Sequence, residues 1–231
     1  MRYLLLLSCV LFMPLHAKEE PKPSFSITPT TPEEMETGVG PYKFCFKNFP
    51  TNTPLIVSYS RVLNGSAPKA TEEILLTPSG LIAIKGVGVA RNYIFEPVGI
   101  LEGERITYQI KQKRKLLAEH SFIPLPLEIT SKQHTFSLSA ELLEIRTTTL
   151  YRIFLKGLPD NEIVKVTIQY PKERTESEFK VGDVFALLAT ERGKKGGICT
   201  LTIERTNGDS ATLELLWGLK SIAKAMTDAI E

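Results

Sequence analysis

Histidine and cysteine are scarce in this sequence, with three of each in 231 residues, and tryptophan occurs once. Beyond residue 17 only His120 and His134 remain, whereas a Ser-His-acid or Cys-His mechanism needs a histidine held in place by a third group. His120 is expected on a strand beside Glu119 and His134 in a polar turn, both at the surface. No serine sits in a Gly-x-Ser-x-Gly elbow, so nothing favours a hydrolase. Two cysteines and two histidines scattered along the chain do not make the three or four ligands of a metal site. Lys85-Gly86-Val87-Gly88-Val89-Ala90 lacks the third glycine and following helix of a nucleotide loop, and reads as a strand or bulge. Glu33-Glu34 and Glu72-Glu73 are adjacent, which in extended chain points them apart as solvated charge. Catalysis, a metal and a cofactor are therefore not expected.

Charge of one sign is also lacking. The chain has 28 basic and 26 acidic residues, far from the basic surplus that phosphate neutralisation by a nucleic-acid binder requires. Long apolar runs are missing too. The one candidate, Leu4 to Met13, is too short to cross roughly 30 Å of hydrocarbon as a helix. With Arg2 before it and Leu15-His16-Ala17 after it, residues 1–17 read as a cleaved export signal. Leu6-Leu7-Ser8-Cys9 superficially resembles a lipoprotein box, but acylation at Cys9 would leave Val10-Leu11-Phe12 as an exposed apolar start. Only Cys45 and Cys199 lie beyond the signal, so at most one disulfide could form, and the repeat below places them in different units. Hydrophobic residues make up 42% and charged residues 23%, enough apolar content for packed cores without staples.

What is present is a repeat. Tyr42-Lys43-Phe44-Cys45-Phe46-Lys47-Asn48-Phe49-Pro50 recurs as Tyr151-Arg152-Ile153-Phe154-Leu155-Lys156-Gly157-Leu158-Pro159. Without a gap, Asn52 then meets Asn161, and Leu55, Val57 and Tyr59 meet Val164, Val166 and Ile168. Each copy reads as a strand of period two, broken by its Pro and followed by a second alternating strand. Later, Ile106, Tyr108 and Ile110 match Cys199, Leu201 and Ile203 in kind, each run leading into a hairpin. Asn207-Gly208 predicts a type I′ turn, while Lys111 to Lys115 occupies the tip of the first-copy hairpin. Phe25 and Ile27 predict an opening strand for the first copy, and Leu127 and Ile129 for the second.

Short strands and close-spaced turns predict an all-β fold of two tandem antiparallel β-sandwich domains with a short C-terminal α-helix. The arrangement resembles the immunoglobulin-like (Ig-like) or fibronectin-III-like modules of bacterial exported proteins. The expected organisation is a signal at 1–17, a tether at 18–23, modules at 24–125 and 126–217, and an amphipathic helix at 218–231. Ile123-Pro124-Leu125-Pro126 predicts a semi-rigid junction that limits reorientation of the modules. In the helix, Leu219, Ile222, Ala223, Met226 and Ile230 share a face, expected to dock on the second module because about thirteen residues are marginal alone.

Two places merit attention as sites. Lys111, Lys113, Arg114 and Lys115 concentrate charge at one hairpin tip, suited to an acidic protein, an anionic glycan or a lipid head group. Arg192, Lys194 and Lys195 would add to it if they lay on the same side. Cys45 shares its face with Lys43 and Lys47, whose charge would favour a thiolate. A small buried hydrophobe is the plainer reading, since Phe154 at the matched position implies that this face is covered. The function expected is that of an exported, non-catalytic binding or structural protein, located in the periplasm, in the envelope or outside the cell. Its partner is expected to be another protein or an anionic envelope component. The alternatives are a periplasmic chaperone acting by strand addition and a hydrolase with a site between the modules.

Overall fold

A computed structural model describes residues 21–31, 41–62, 69–95, 99–145, 148–182, 185–191 and 194–228, without the side chains of 69–71 and 226–228. The expected export signal lies outside these residues, as do Arg192 and residues 18–20 of the expected tether. The described residues are all-β apart from one short C-terminal helix, and their strands form four antiparallel sheets.

Two sheets enclose the first core. One holds β1 (Ser24–Pro29), β2 (Tyr42–Lys47) and β7 (Tyr93–Phe95) in that order. The other is six-stranded, in the order β6 (Gly88–Ala90), β5 (Ile82–Ile84), β4 (Lys69–Leu76), β3 (Pro54–Arg61), β8 (Ile106–Gln112), β9 (Lys115–Phe122). Phe25, Phe44 and Tyr93 of the first sheet meet Leu55, Val57, Ile74, Ile106 and Ile110 of the second, all buried. Alternation makes this possible, because period two puts Phe44 inward and leaves Lys43 and Lys47 on the opposite face. Burying each such side chain contributes about 1.5–3 kcal/mol.

The second core lies between β10 (Leu127–Thr130), β11 (Ser137–Ile145), β12 (Thr149–Lys156) and β15 (Phe185–Ala189) on one side, and β14 (Arg174–Lys180), β13 (Ile163–Gln169), β16 (Gly197–Glu204) and β17 (Ser210–Trp217) on the other. The orders β1-β2-β7 and β4-β3-β8-β9 return as β11-β12-β15 and β14-β13-β16-β17. The repeat read from the sequence is thus a repeat of topology. Its details match residue by residue. The Tyr42 hydroxyl donates to the Pro124 carbonyl at 2.9 Å, and the Tyr151 hydroxyl to the Leu216 carbonyl at 2.7 Å, each just after or at the end of its half's last strand. Asn48 and Gly157 both take positive φ, 58° and 88°, as do Asn52 and Asn161, 54° and 68°. The amides of Asn52 and Asn161 donate to the carbonyls of Leu76 and Val181, closing the same turn in each half. Val57 pairs with Ile110 as Val166 pairs with Ile203.

Three expectations need correction. The counterpart of β1 is β11 and not the strand at Leu127 and Ile129: Phe25 pairs with Phe46 as Leu138 pairs with Leu155. The strand at Leu127 is an addition at the sheet edge, where Ile129 remains 40% exposed. Asn207-Gly208 is not a type I′ turn, because only Gly208 has positive φ and its amide donates to Arg205. Asp209 dictates this wider loop: its buried carboxylate accepts from Ser131 Oγ, Thr135 Oγ1 and the Gln133 amide, tying the β16–β17 loop to the β10–β11 turn. Finally, the helix α1 (Leu219–Asp228) does dock on the second core, but through Ile222 and Ala225, while Leu219 is 56% exposed and Ala223 is exposed. Gly218 sets that angle. Its φ of 77° and its position 2.6 Å (as an added Cβ) from Gly196 Cα allow no side chain.

The junction is more than the Pro124–Pro126 segment. Neighbouring residues Ile100 and Leu101 are buried in different cores, the first and the second respectively. The Gly103 amide donates to the Leu125 carbonyl at 2.7 Å, and its own carbonyl accepts from Leu142 at 2.9 Å. The loop before β8 therefore pins both the connection and the second half.

Candidate functional site

The joint holds a polar cavity. About 450 Å³ in volume, it is lined by Ser60, Arg61 and Thr107 from the first half and Glu141, Glu144 and Leu150 from the second, with Arg105 between them. These charges engage one another. Glu104, fully buried, accepts from Arg61 Nε at 3.0 Å and Nη2 at 2.6 Å, and its Oε2 also accepts the Leu101 amide. Arg105 Nε donates to Glu141 Oε1 at 2.5 Å, an interaction that raises the guanidinium pKa above its ordinary value. Glu141 Oε2 is buried without a hydrogen-bond partner among the described residues, and Arg152 Nη1 stands 3.9 Å away, beyond hydrogen-bond range. The arrangement is that of an ionic joint. Its partners come from 43 and 36 residues apart in the chain, so no local motif announces them.

The basic tip is where the repeat places it. Lys113 and Arg114 form the two-residue turn between Gln112 and Lys115, with Lys113 at φ 56°. Lys113, Arg114 and Lys115 are exposed and Lys111 is half-buried. Among the described residues none of the four pairs with a carboxylate. The second basic group does not join them. Lys194 pairs with Glu191 at 2.9 Å, and Lys195 packs by its carbonyl on Gly218, at the end of the second half that meets the joint. β8 carries the first tip away from that joint by seven residues, roughly 20 Å.

Cys45 is a free, half-exposed thiol whose Sγ lies 3.5 Å from Thr28 Oγ1. The buried-hydrophobe reading fails, because its counterpart Phe154 is itself 39% exposed and the outer face is open in both halves. Cys199 is the inert thiol: burial pushes its pKa up to about 11. Beside Cys45 a groove of about 410 Å³ is lined by Lys43, Phe46, Phe49, Leu76 and Arg91. β7 pairs with Tyr42–Phe44 only, so Cys45–Lys47 have a ladder partner on one side, β1. A smaller apolar cavity, about 230 Å³, lies between Leu101, Leu127, Tyr151, Leu216 and Ile222. His120 faces the Phe25 ring at 5.8 Å and His134 sits in the 131–136 turn, so neither lines any of these cavities.

The sequence did not reveal the apolar neighbours of the tip. Leu116 is 47% exposed, Ile56 36%, Val89 64% and Val87 76%. They come from three places in the chain, β3, the β5–β6 hairpin and β9, with Val87 and Val89 at the edge of the sheet opposite β9. Among the described residues no group of three or more His, Cys, Asp or Glu could hold a metal ion, and no helix is long and apolar enough to cross a membrane. No known protein family matches the chain, and no curated protein matches it.

Proposed function

We propose that this is an exported, non-catalytic binding protein, built of two Ig-like β-sandwich modules, whose working surface is the end of the first module remote from the joint. The observation that carries this reading is the β8–β9 tip, where four cations without carboxylate partners among the described residues stand beside exposed aliphatic side chains. Unpaired like charges repel one another, and a fold keeps them together at small cost only in solvent or against an opposite charge. The matching strand orders support the tandem-module reading, and the signal-like residues 1–17 support export. The polar cleft supports a structural role for its charges, since Arg61, Glu104, Arg105 and Glu141 are spent on one another. The partner is an acidic protein or an anionic envelope component.

A photo-cross-linker placed at Arg114, used in native envelope, is expected to yield discrete adducts that the same label at exposed Lys165 does not. Turnover of any substrate abolished by Glu141→Gln would overturn the non-catalytic reading.

A second reading, a chaperone that accepts a client strand, is favoured by one observation: the open edge of Cys45–Lys47 beside the 410 Å³ groove. It predicts that a bound client slows hydrogen exchange at residues 45–47. Unchanged exchange there in a captured complex would dismiss it.

A further inference from the structure

The register of the six-stranded sheet brings the exposed aliphatic residues into one band. Pro54, Leu75, Ala83 and Val89 are successive cross-strand neighbours on β3, β4, β5 and β6. One pleat further on, and so on the same face two residues along, Ile56 pairs with Glu73 on one side and Lys111 on the other, and Lys111 pairs with Leu116. Leu55, Ile74 and Ile84 between these rows point into the core, which fixes the band as the outer face. Single exposed aliphatic side chains need no explanation, but a band to which five of the six strands contribute aliphatic side chains does, with Ile56, Val89 and Leu116 exposed, Leu75 and Ala83 half-buried, and Glu73 and Lys111 set into it.

The charges around the band have one dominant sign. Lys111, Lys113, Arg114 and Lys115 border it on β8 and β9, and Lys85 borders it at the β5–β6 turn. Two carboxylates share the face: Glu73 is held by Lys85 at 3.0 Å, and Glu119, one pleat on from Lys111 and Leu116, accepts from Gln109 Nε2 at 2.7 Å. Cations framing a flat apolar strip are the pattern that binds an anionic lipid surface: the aliphatic groups enter the head-group boundary while the lysines and arginine meet phosphate. A protein partner would instead be expected to seat an anchor side chain in a pocket. The band lies outside the cleft, the groove and the apolar cavity described above.

We propose that the outer face of this sheet, from Val89 across Leu75 and Ile56 to Leu116, docks on the surface of an anionic phospholipid bilayer. This rests on the reading of the tip as the working surface and names its partner. Docking is peripheral. The aliphatic band reaches only the boundary region, so attachment depends on both the band and the cations, and salt weakens it.

The test uses the chain without residues 1–17 in flotation with vesicles. One set is phosphatidylcholine alone and the other contains about one third phosphatidylglycerol, an anionic lipid. Binding is expected to the second set only and to fall as salt rises. Arg114→Glu/Lys115→Glu is expected to weaken it by more than tenfold, at roughly fivefold for each cation removed and more for reversal. Val89→Asp, on an exposed edge strand, is expected to weaken it without touching the cations, and Lys220→Glu/Lys224→Glu on the helix is expected to leave it unchanged. No flotation with the anionic vesicles, or flotation equal in all variants, overturns the proposal. If instead Arg114 cross-links a protein from detergent-extracted envelope and vesicle binding is nil, the lipid assignment falls while the tip remains the working surface. If both fail, the functional reading falls with it.

Discussion

Two carboxylates have effects far beyond their own positions. Asp209 shows how: its burial alone would raise the pKa, but hydrogen bonds from Thr135, Gln133, Ser131 and Ser210 outweigh that and hold it below the ordinary carboxylate value. A depressed folded pKa means that Asp209 contributes its full stabilisation above the unfolded pKa, near about 4. That contribution is lost as pH falls from there through the folded value. Asp209→Asn is therefore expected to lower the melting temperature at neutral pH and to flatten its decline in acid, as followed by circular dichroism. An unchanged acid profile would show that the loop is held by other contacts. Glu104 is the second case. Glu104→Ala removes the carboxylate paired with the largely buried Arg61, leaving Nη2 its bond to the Gly99 carbonyl, and is expected to cost about 3–5 kcal/mol in urea unfolding. Arg61→Met/Glu104→Leu, which removes both charges, is expected to recover much of that loss.

At the scale of elements, glycine and helix positions separate close packing from mere exposure. Gly218→Ala forces a Cβ against Gly196 at a positive φ and is expected to cost at least about 2 kcal/mol. Gly86→Ala, at a similar φ of 80° but with nothing within 4 Å, is expected to cost only about 1 kcal/mol. On the helix, Ile222→Ala should lose about 2–5 kcal/mol, and exposed Leu219→Ala under about 0.5 kcal/mol. Urea unfolding checks both pairs, and equal losses at Ile222 and Leu219 would mean the helix is turned differently. These elements also show what the chain reveals by itself. β2, β3, β8, β12, β13 and β16 are legible because an apolar residue recurs at every second position of each in the sequence, even where, as at Ser58 in β3, an intervening polar residue is also buried. β14, Arg-Thr-Glu-Ser-Glu-Phe-Lys, is not: it is an edge strand exposed almost throughout, whose charges guard against unwanted pairing. β11 hides behind its bulge between Leu142 and Glu144 and behind buried Glu141, both of which break period two. The helix was legible in place, with ten residues, Leu219–Asp228, described within the expected 218–231, but its buried side was not, since Gly218 fixes the exit angle through contacts with a distant turn.

For the whole molecule, duplication yields two similar cores with different attachments. The second packs against the helix, while the first ends in the basic β8–β9 hairpin. The basic tip of that end was visible as a charge run, because four cations in five residues need no folding to be seen. The aliphatic band was not visible, because Ile56, Leu75, Val89 and Leu116 come onto one face only when antiparallel register aligns six strands. The ionic joint was equally hidden, its partners being separated by dozens of residues. Together these features divide labour: the Arg105–Glu141 pair crosses between the halves, while the four cations of the tip lie at the surface with no carboxylate partner among the described residues.

Hydrogen exchange of the chain bound to native envelope membranes tests this division directly. Protection is expected in residues 54–56, 73–75, 82–90 and 111–116, with β12 to β17 unchanged from the free protein. Protection centred on the cleft around Arg105 and Glu141, with the β8–β9 tip unaffected, would contradict it.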